Sequence, residues 1–159
     1  YWGNSGSSEI YHDPETRKNS ISYRTNLARL MEQLINEGDH KKAKEIIDLA
    51  MEKMPLQKFG YYTMVEPFVA GYYEVGEKEK ARDILNQLMI KYQENLDYYK
   101  EFRINDQNDY YVEIVTSIER YRDLLNLMKD SKDLEYFNKH KAKFNTYNSY
   151  FSRFERENE

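Results

Sequence analysis

Glu9, His12, Asp13 and Glu15 put four side chains able to ligate a metal within seven residues, a spacing that would suit a hard cation. A metal site needs convergent ligands in a defined geometry, and Asp13 already has a role as a helix cap before Pro14, so no metal is expected. The other two histidines, His40 and His140, stand far away in the chain. His140 falls in an aromatic seam, where a hydrogen-bonded packing histidine is expected rather than a catalytic one. Serine, histidine and carboxylate show no nucleophile pattern, and neither a glycine-rich phosphate loop nor a paired-histidine zinc motif occurs. With no cysteine, thiolate catalysis, disulfides and Cys-ligated zinc are excluded. The 28 acidic residues generate carboxylate pairs by chance, and most belong on solvated helix faces. The expected inventory is no catalytic residue, no metal and no cofactor.

Tyrosine is the compositional anomaly, with 16 copies, several adjacent: Tyr61-Tyr62, Tyr72-Tyr73, Tyr98-Tyr99 and Tyr110-Tyr111. Neighbouring helical residues point about 100° apart, so in each pair one ring can enter a core while the other borders the surface. Packing plus rim is the plain reading; the sharper one is an aromatic groove for a peptide or glycan. Lys41, Lys42 and Lys44, echoed by Lys78, Lys80 and Arg82, read as a solvated basic face, with an anionic lipid or polymer contact as the sharper alternative.

The elements that must position these residues are helical. YWGNSGSSEIYH reads as an irregular lead-in with Trp2, Ile10 and Tyr11 as anchors. Asp13-Pro14 starts a helix running to Glu37, with Ile21, Leu27, Leu30, Met31 and Leu34 at helical spacing and Gly38 ending it. Asp39 caps the next helix, which Pro55 closes. A second hairpin is expected from about Gly60 to Val75 and from Lys78 to Phe102, with Pro67 marking a late start or a kink. The third pair, over 108–156, carries a stripe of Ile114, Ile118, Tyr121, Leu125 and Met128 and a seam of Phe137, His140, Phe144, Tyr147, Phe151 and Phe154.

The phrase EGDHKKAKEIIDLAMEKMP, residues 37 to 55, returns 38 residues later as VGEKEKARDILNQLMIKY, with Gly38 matching Gly76 and Ala43 matching Ala81. Self-similarity at this period marks a helical repeat, whose hairpins bury their apolar faces by stacking. Ala43, Ala50 and Ala81 are the small residues that let backbones approach, and Leu27, Leu30, Leu34 and Ile47 with Val65, Phe68, Tyr72 and Leu85 fill the space between helices. The third pair lacks the glycine and the alanines, so it reads as a cap on the stack. A length of 159 residues suits one domain, over 1–159. Net charge is -4, which gives no basic excess for a nucleic-acid backbone. No run of 18 or more apolar residues exists.

Gly38, Ala43, Ala50 and Pro55, with Gly76, Ala81, Leu85 and Leu88 as a second copy, resemble the tetratricopeptide family. The departures are a period of 38 rather than 34, no tryptophan near the start of either unit, and Gln93 where the second copy would have proline. A broader likeness covers almost the whole chain. RTNLARLMEQLINEGDHKKA, GYYTMVEPFVAGYYEVGEKEKA and the lead-in WGN with IYHDPETRK resemble the C-terminal soluble region of bacterial multi-pass membrane proteins related to protein O-mannosyltransferases. That resemblance implies a helical-repeat appendage on the periplasmic face of the inner membrane, with glycosyl-transfer chemistry left to the membrane portion. It carries no catalytic residue onto these positions. Its matching residues include Arg24, Asn26, Ala28, Arg29, Glu66, Pro67 and Tyr72. In tetratricopeptide register Glu32 and Asn36, with Glu66, Tyr73 and Glu74, look into the concave surface, while Ala28 and Glu32 replace the basic and amide clamp that would hold a C-terminal carboxylate.

The expectation is therefore an all-α chain: a short, tetratricopeptide-like right-handed stack of helical hairpins with a C-terminal helical pair as cap. Its function is that of a non-catalytic interaction module, the accessory domain of a membrane protein of glycosyltransferase type. A free-standing peptide- or glycan-binding scaffold is the alternative, and an enzyme without a recognisable motif the second. The partner is a protein or peptide, or the membrane portion of its own polypeptide, with a glycan as a further candidate; nucleic acid and membrane insertion by this segment are not expected. Arg24, Asn26, Glu32, Asn36, Glu66, Tyr73 and Glu74 form the candidate concave surface.

Overall fold

The computed structural model describes residues 5–7 and 9–154; Trp2, expected as an anchor, lies outside them. Among the described residues the chain is all-helical, with seven α-helices, three short 3-10 turns and no strand. It divides into two compact units, residues 1–81 and 82–159.

In the first unit, α1 spans Pro14–Asn36. Asp13 caps it, Oδ1 accepting from the Thr16 amide at 2.9 Å, and Pro14 occupies the first turn where a missing N–H costs nothing. The helix stops at Gly38, whose φ of +79° lets the Asp39 amide reach back to the Leu34 carbonyl at 2.8 Å and the Gly38 amide to Ile35 at 3.0 Å. α2 (His40–Lys53) then runs back along α1, capped by Asp39. Ala43, Ile47 and Ala50 are wholly buried, as are Phe68 and Val69 of α4 (Glu66–Glu74). α4 lies against both α1 and α2, and Gly71 makes this possible: a Cβ there would sit 2.2 Å from the Met31 sulfur and 3.0 Å from Ile47 Cδ1.

The second hairpin does not begin at Gly60 as the spacing suggested. A four-residue helix, α3 (Leu56–Phe59), follows Pro55, and Gly60 and Tyr61 both take positive φ, +64° and +47°, which no α-helix accommodates. A 3-10 turn over Tyr62–Met64 leads into α4, where Pro67 sits in the first turn, so the proline marks a late start and not a kink. Leu30, expected to fill the interhelix space, is 41% exposed, and Ile10 and Tyr11 are exposed rather than anchored. His12 does that anchoring, packing its ring 4.4 Å from Phe59.

α5 (Lys78–Lys100) starts at the end of the first unit and supplies the opening helix of the second. α6 (Tyr111–Asp130) and α7 (Leu134–Tyr150) form the final hairpin. The expected stripe of Ile114, Ile118, Tyr121, Leu125 and Met128 is buried throughout. On α7 the seam holds at Phe144 and Tyr147 and beyond its end at Phe151 and Phe154, while Phe137 and His140 are half-buried and Tyr136 faces inward. His140 packs 4.3 Å from the Tyr136 ring, but its Nε2 has no hydrogen-bond partner among the described residues, so it is not the hydrogen-bonded histidine expected. Burial first, then Lys139 and Lys143, hold it below the usual imidazole range.

Two of the buried tyrosines in this unit, Tyr121 and Tyr147, have hydroxyls that the fold engages. Gln93 Nε2 donates to Tyr121 Oη at 2.7 Å, and Lys143 donates to Gln93 Oε1 at 2.5 Å. Tyr147 donates to Asp97 at 2.9 Å. A buried ring thus brings a polar tip that the core satisfies.

Candidate functional site

Arg24 is the predicted surface residue whose environment departs most from expectation. It is fully buried, with a guanidinium that donates to the carbonyls of Gly60 at 2.6 Å, Tyr61 at 3.4 Å and Met54 at 2.8 Å. Met54 and Gly60 cap the C-terminal ends of α2 and α3, whose exposed carbonyls and negative dipole ends suit a cation. Burial alone pulls the guanidinium down to about 10, so it remains protonated at neutral pH. Arg24 is thus a clamp inside the first unit and offers nothing to a partner.

The remaining members of the proposed surface divide by helix. Glu32 and Asn36 are exposed and four residues apart, hence on one stripe of α1. Asn26 is exposed as well, but at 100° per residue it points well away from that stripe. Glu66 and Tyr73 share a stripe of α4 and are half-buried, each with an interaction of its own, while Glu74 is exposed. Two short surfaces therefore stand available, Glu32 with Asn36 and Glu74.

The basic echo is less free than its sequence suggested. Asp48 on α2 accepts from Tyr72 Oη at 2.6 Å and Lys80 Nζ at 2.6 Å, and Lys44 lies 3.4 Å from Asp48 and 3.3 Å from Glu77. Burial alone would raise the Asp48 carboxyl, yet the Lys80 and Tyr72 hydrogen bonds with the charges of Lys80 and Lys44 bring it below its ordinary value. Burial and the same carboxylate push the Tyr72 phenol up. Arg82 is bound elsewhere: it forks onto buried Asp133 with two bonds of 2.8 Å and reaches Glu135 at 3.0 Å. With Lys44, Lys80 and Arg82 so engaged, and Lys42 paired with Asp39 at 2.7 Å, most of the basic echo is committed within the chain.

Concavity appears where sequence reasoning did not look. Before α1, the Ser5 hydroxyl donates to the Lys53 carbonyl at 2.9 Å, and His12 Nε2 lies 2.7 Å from the Ser5 carbonyl. Between Ser5, His12 and the first turns of α1 lies a cleft of about 460 Å³, with Thr16, Asn19, Ser20 and Tyr23 on one wall and Phe59 on another. A second recess of about 300 Å³ shares Phe59 and is bounded by Arg17 and Tyr61. Among the described residues the two linings include one arginine and no carboxylate, in a chain with 28 acidic residues. Two signals could have found it: the consecutive Gly60-Tyr61 before a proline-started helix, and the run of short polar residues at one face of α1.

Chemically the cleft offers hydrogen bonds and aromatic walls, and the second recess adds the charge of Arg17. Among the described residues no histidine hydrogen-bonds a serine hydroxyl or a carboxylate, and no three His, Asp or Glu side chains converge as for a metal. No helix of the described residues is long and apolar enough to cross a membrane. No family model, curated protein or solved structure matches the chain.

Proposed function

We propose that the chain is a non-catalytic interaction module, built as a tetratricopeptide-like right-handed stack of helical hairpins with α6 and α7 as its cap. We infer further that it serves as the soluble accessory domain of a membrane protein of glycosyltransferase type, on the periplasmic face. The observation that carries the modular reading is the recurrence of one turn. Asp39 to Leu34, Glu77 to Tyr72 and Asp133 to Met128 all bond amide to carbonyl at 2.8 Å across a left-handed residue, Gly38, Gly76 or Lys132. A unit that ends its first helix the same way three times is the raw material of a helical repeat. The buried charges support a scaffold role as well, because Arg24 and Asp133 are engaged in holding helices together.

The partner is a polypeptide, or the membrane portion of the same protein, engaged through the exposed stripes of Glu32 and Asn36 on α1 and Glu74 on α4. The accessory-domain reading rests on the resemblance of the strings at 24–43 and 60–81. Its test is glycosyl transfer by the full-length protein with and without this segment: altered acceptor use on deletion supports it, and unchanged transfer rates for every acceptor tried would remove it.

A further inference from the structure

Separately from those stripes, we propose that the paired recesses flanking Phe59 bind a small organic anion, a carboxylate- or phosphate-bearing molecule with a flat or ring-shaped body. Tyr61 is the clamp and Arg17 the charge anchor.

Tyr61 carries the first part of the inference. Its φ of +47° and ψ of +57° place a bulky residue in the left-handed region, following a glycine that is itself at φ +64° and ψ -138°. Lys132 also has positive φ, but it closes a helix-ending hydrogen-bond pattern, which accounts for it. Tyr61 closes no such pattern. The backbone on either side is instead gripped by Arg24, buried without a carboxylate to pair with, through the Gly60 and Tyr61 carbonyls. Backbone strain over-determined by its surroundings concentrates at ligand clamps. The result here is a ring, 41% exposed, held at the rim of a recess.

The lining carries the second part. Arg17, Asn19 and the Tyr61 hydroxyl have no side-chain partner among the described residues, so a guanidinium, an amide and a phenol are available around one aromatic wall. A guanidinium presents paired N–H groups that match carboxylate and phosphate, and the acid one turn earlier along the helix, Asp13, is turned onto the Thr16 amide and hydroxyl as the helix cap. A cleft of about 460 Å³ falls at the smaller end of the range of about 300–1,000 Å³ that holds small ligands. Phe59 and Tyr61 offer faces to a flat body.

The probes are benzoate and phenyl phosphate, with benzamide as the neutral counterpart, titrated into the full chain while backbone amide NMR shifts are followed. Either anion should shift Arg17, Asn19 and Tyr61 saturably with a Kd of about 1 mM or tighter, and benzamide at least about tenfold more weakly. Which of the two binds more tightly distinguishes carboxylate from phosphate as the natural source. Arg17→Met, which keeps the stem, should weaken the anions about tenfold and leave benzamide unchanged. Tyr61→Gly separates clamp from scaffold, because it removes ring and strain together: the melting temperature should rise while binding is lost. Anion binding weaker than the stated limit, equal binding of benzamide, or an Arg17→Met variant that binds like the parent would each overturn the proposal.

Discussion

Lys132 holds at the third hairpin turn the left-handed conformation that Gly38 holds at the first, φ +59° against +79°, and the surrounding amide-to-carbonyl bonds have the same register and length. A lysine pays a steric penalty there that glycine does not. Lys132→Gly should therefore raise the unfolding free energy by about 1 kcal/mol, read from the urea midpoint at constant slope. A neutral or destabilising result would mean that the lysine side chain makes a compensating contact.

Arg24 should rank among the most sensitive positions in the first unit. Arg24→Ala strands the carbonyls of Met54 and Gly60 and removes a packed stem, at a cost of about 3 kcal/mol or more. Arg24→Lys should not restore stability, because a single ammonium cannot span two helix ends as the fork does. Urea unfolding of the three proteins checks this; a lysine variant as stable as the parent would contradict the bridging role.

Gly71 lets α4 approach α1 and α2, and its Cβ would collide with the sulfur of Met31. Gly71→Ala should cost about 1–3 kcal/mol despite alanine's better helix propensity. Pairing it with Met31→Val should recover at least about 0.5 kcal/mol relative to the sum of the single changes, as a double-mutant cycle would show.

Acid stability should depend on Asp48. Its carboxyl is held below its ordinary value in the folded chain, and the unfolded chain takes up the proton first, so the stabilisation is present above the unfolded pKa and lost as pH falls through the folded one. The melting temperature of the parent should consequently fall more steeply below about pH 4 than that of Asp48→Asn. Parallel curves would show that the Lys80 and Tyr72 bonds do not matter to the linkage.

The helical class was legible because the signals are local. Asp13-Pro14, Gly38 and the apolar spacing from Ile114 to Met128 each act within a turn or two, and each is found where the pattern put it. The third turn escaped because its left-handed residue is a lysine, although its neighbours repeat: an acid follows at Asp39, Glu77 and Asp133, and a large apolar residue lies four before at Leu34, Tyr72 and Met128. Arg24 escaped for a different reason. Nothing in its sequence neighbourhood reveals that carbonyls 30 and 36 positions away converge on it. The two recesses escaped for the same reason, since their walls come from Ser5 and His12, α1, α3 and the Gly60-Tyr61 turn.

Binding of a polypeptide through the exposed faces of α1 and α4 is tested most directly by charge reversal. Glu32→Lys and Glu74→Lys would be introduced together, and site-specific photo-cross-linking from Asn36 in cells would identify and quantify the bound polypeptide. The expected result is a cross-linked partner whose yield falls about tenfold in the double variant while the melting temperature of the segment stays the same. An undiminished yield, or no cross-link from Asn36 in the parent, would contradict an interaction module that works through these faces.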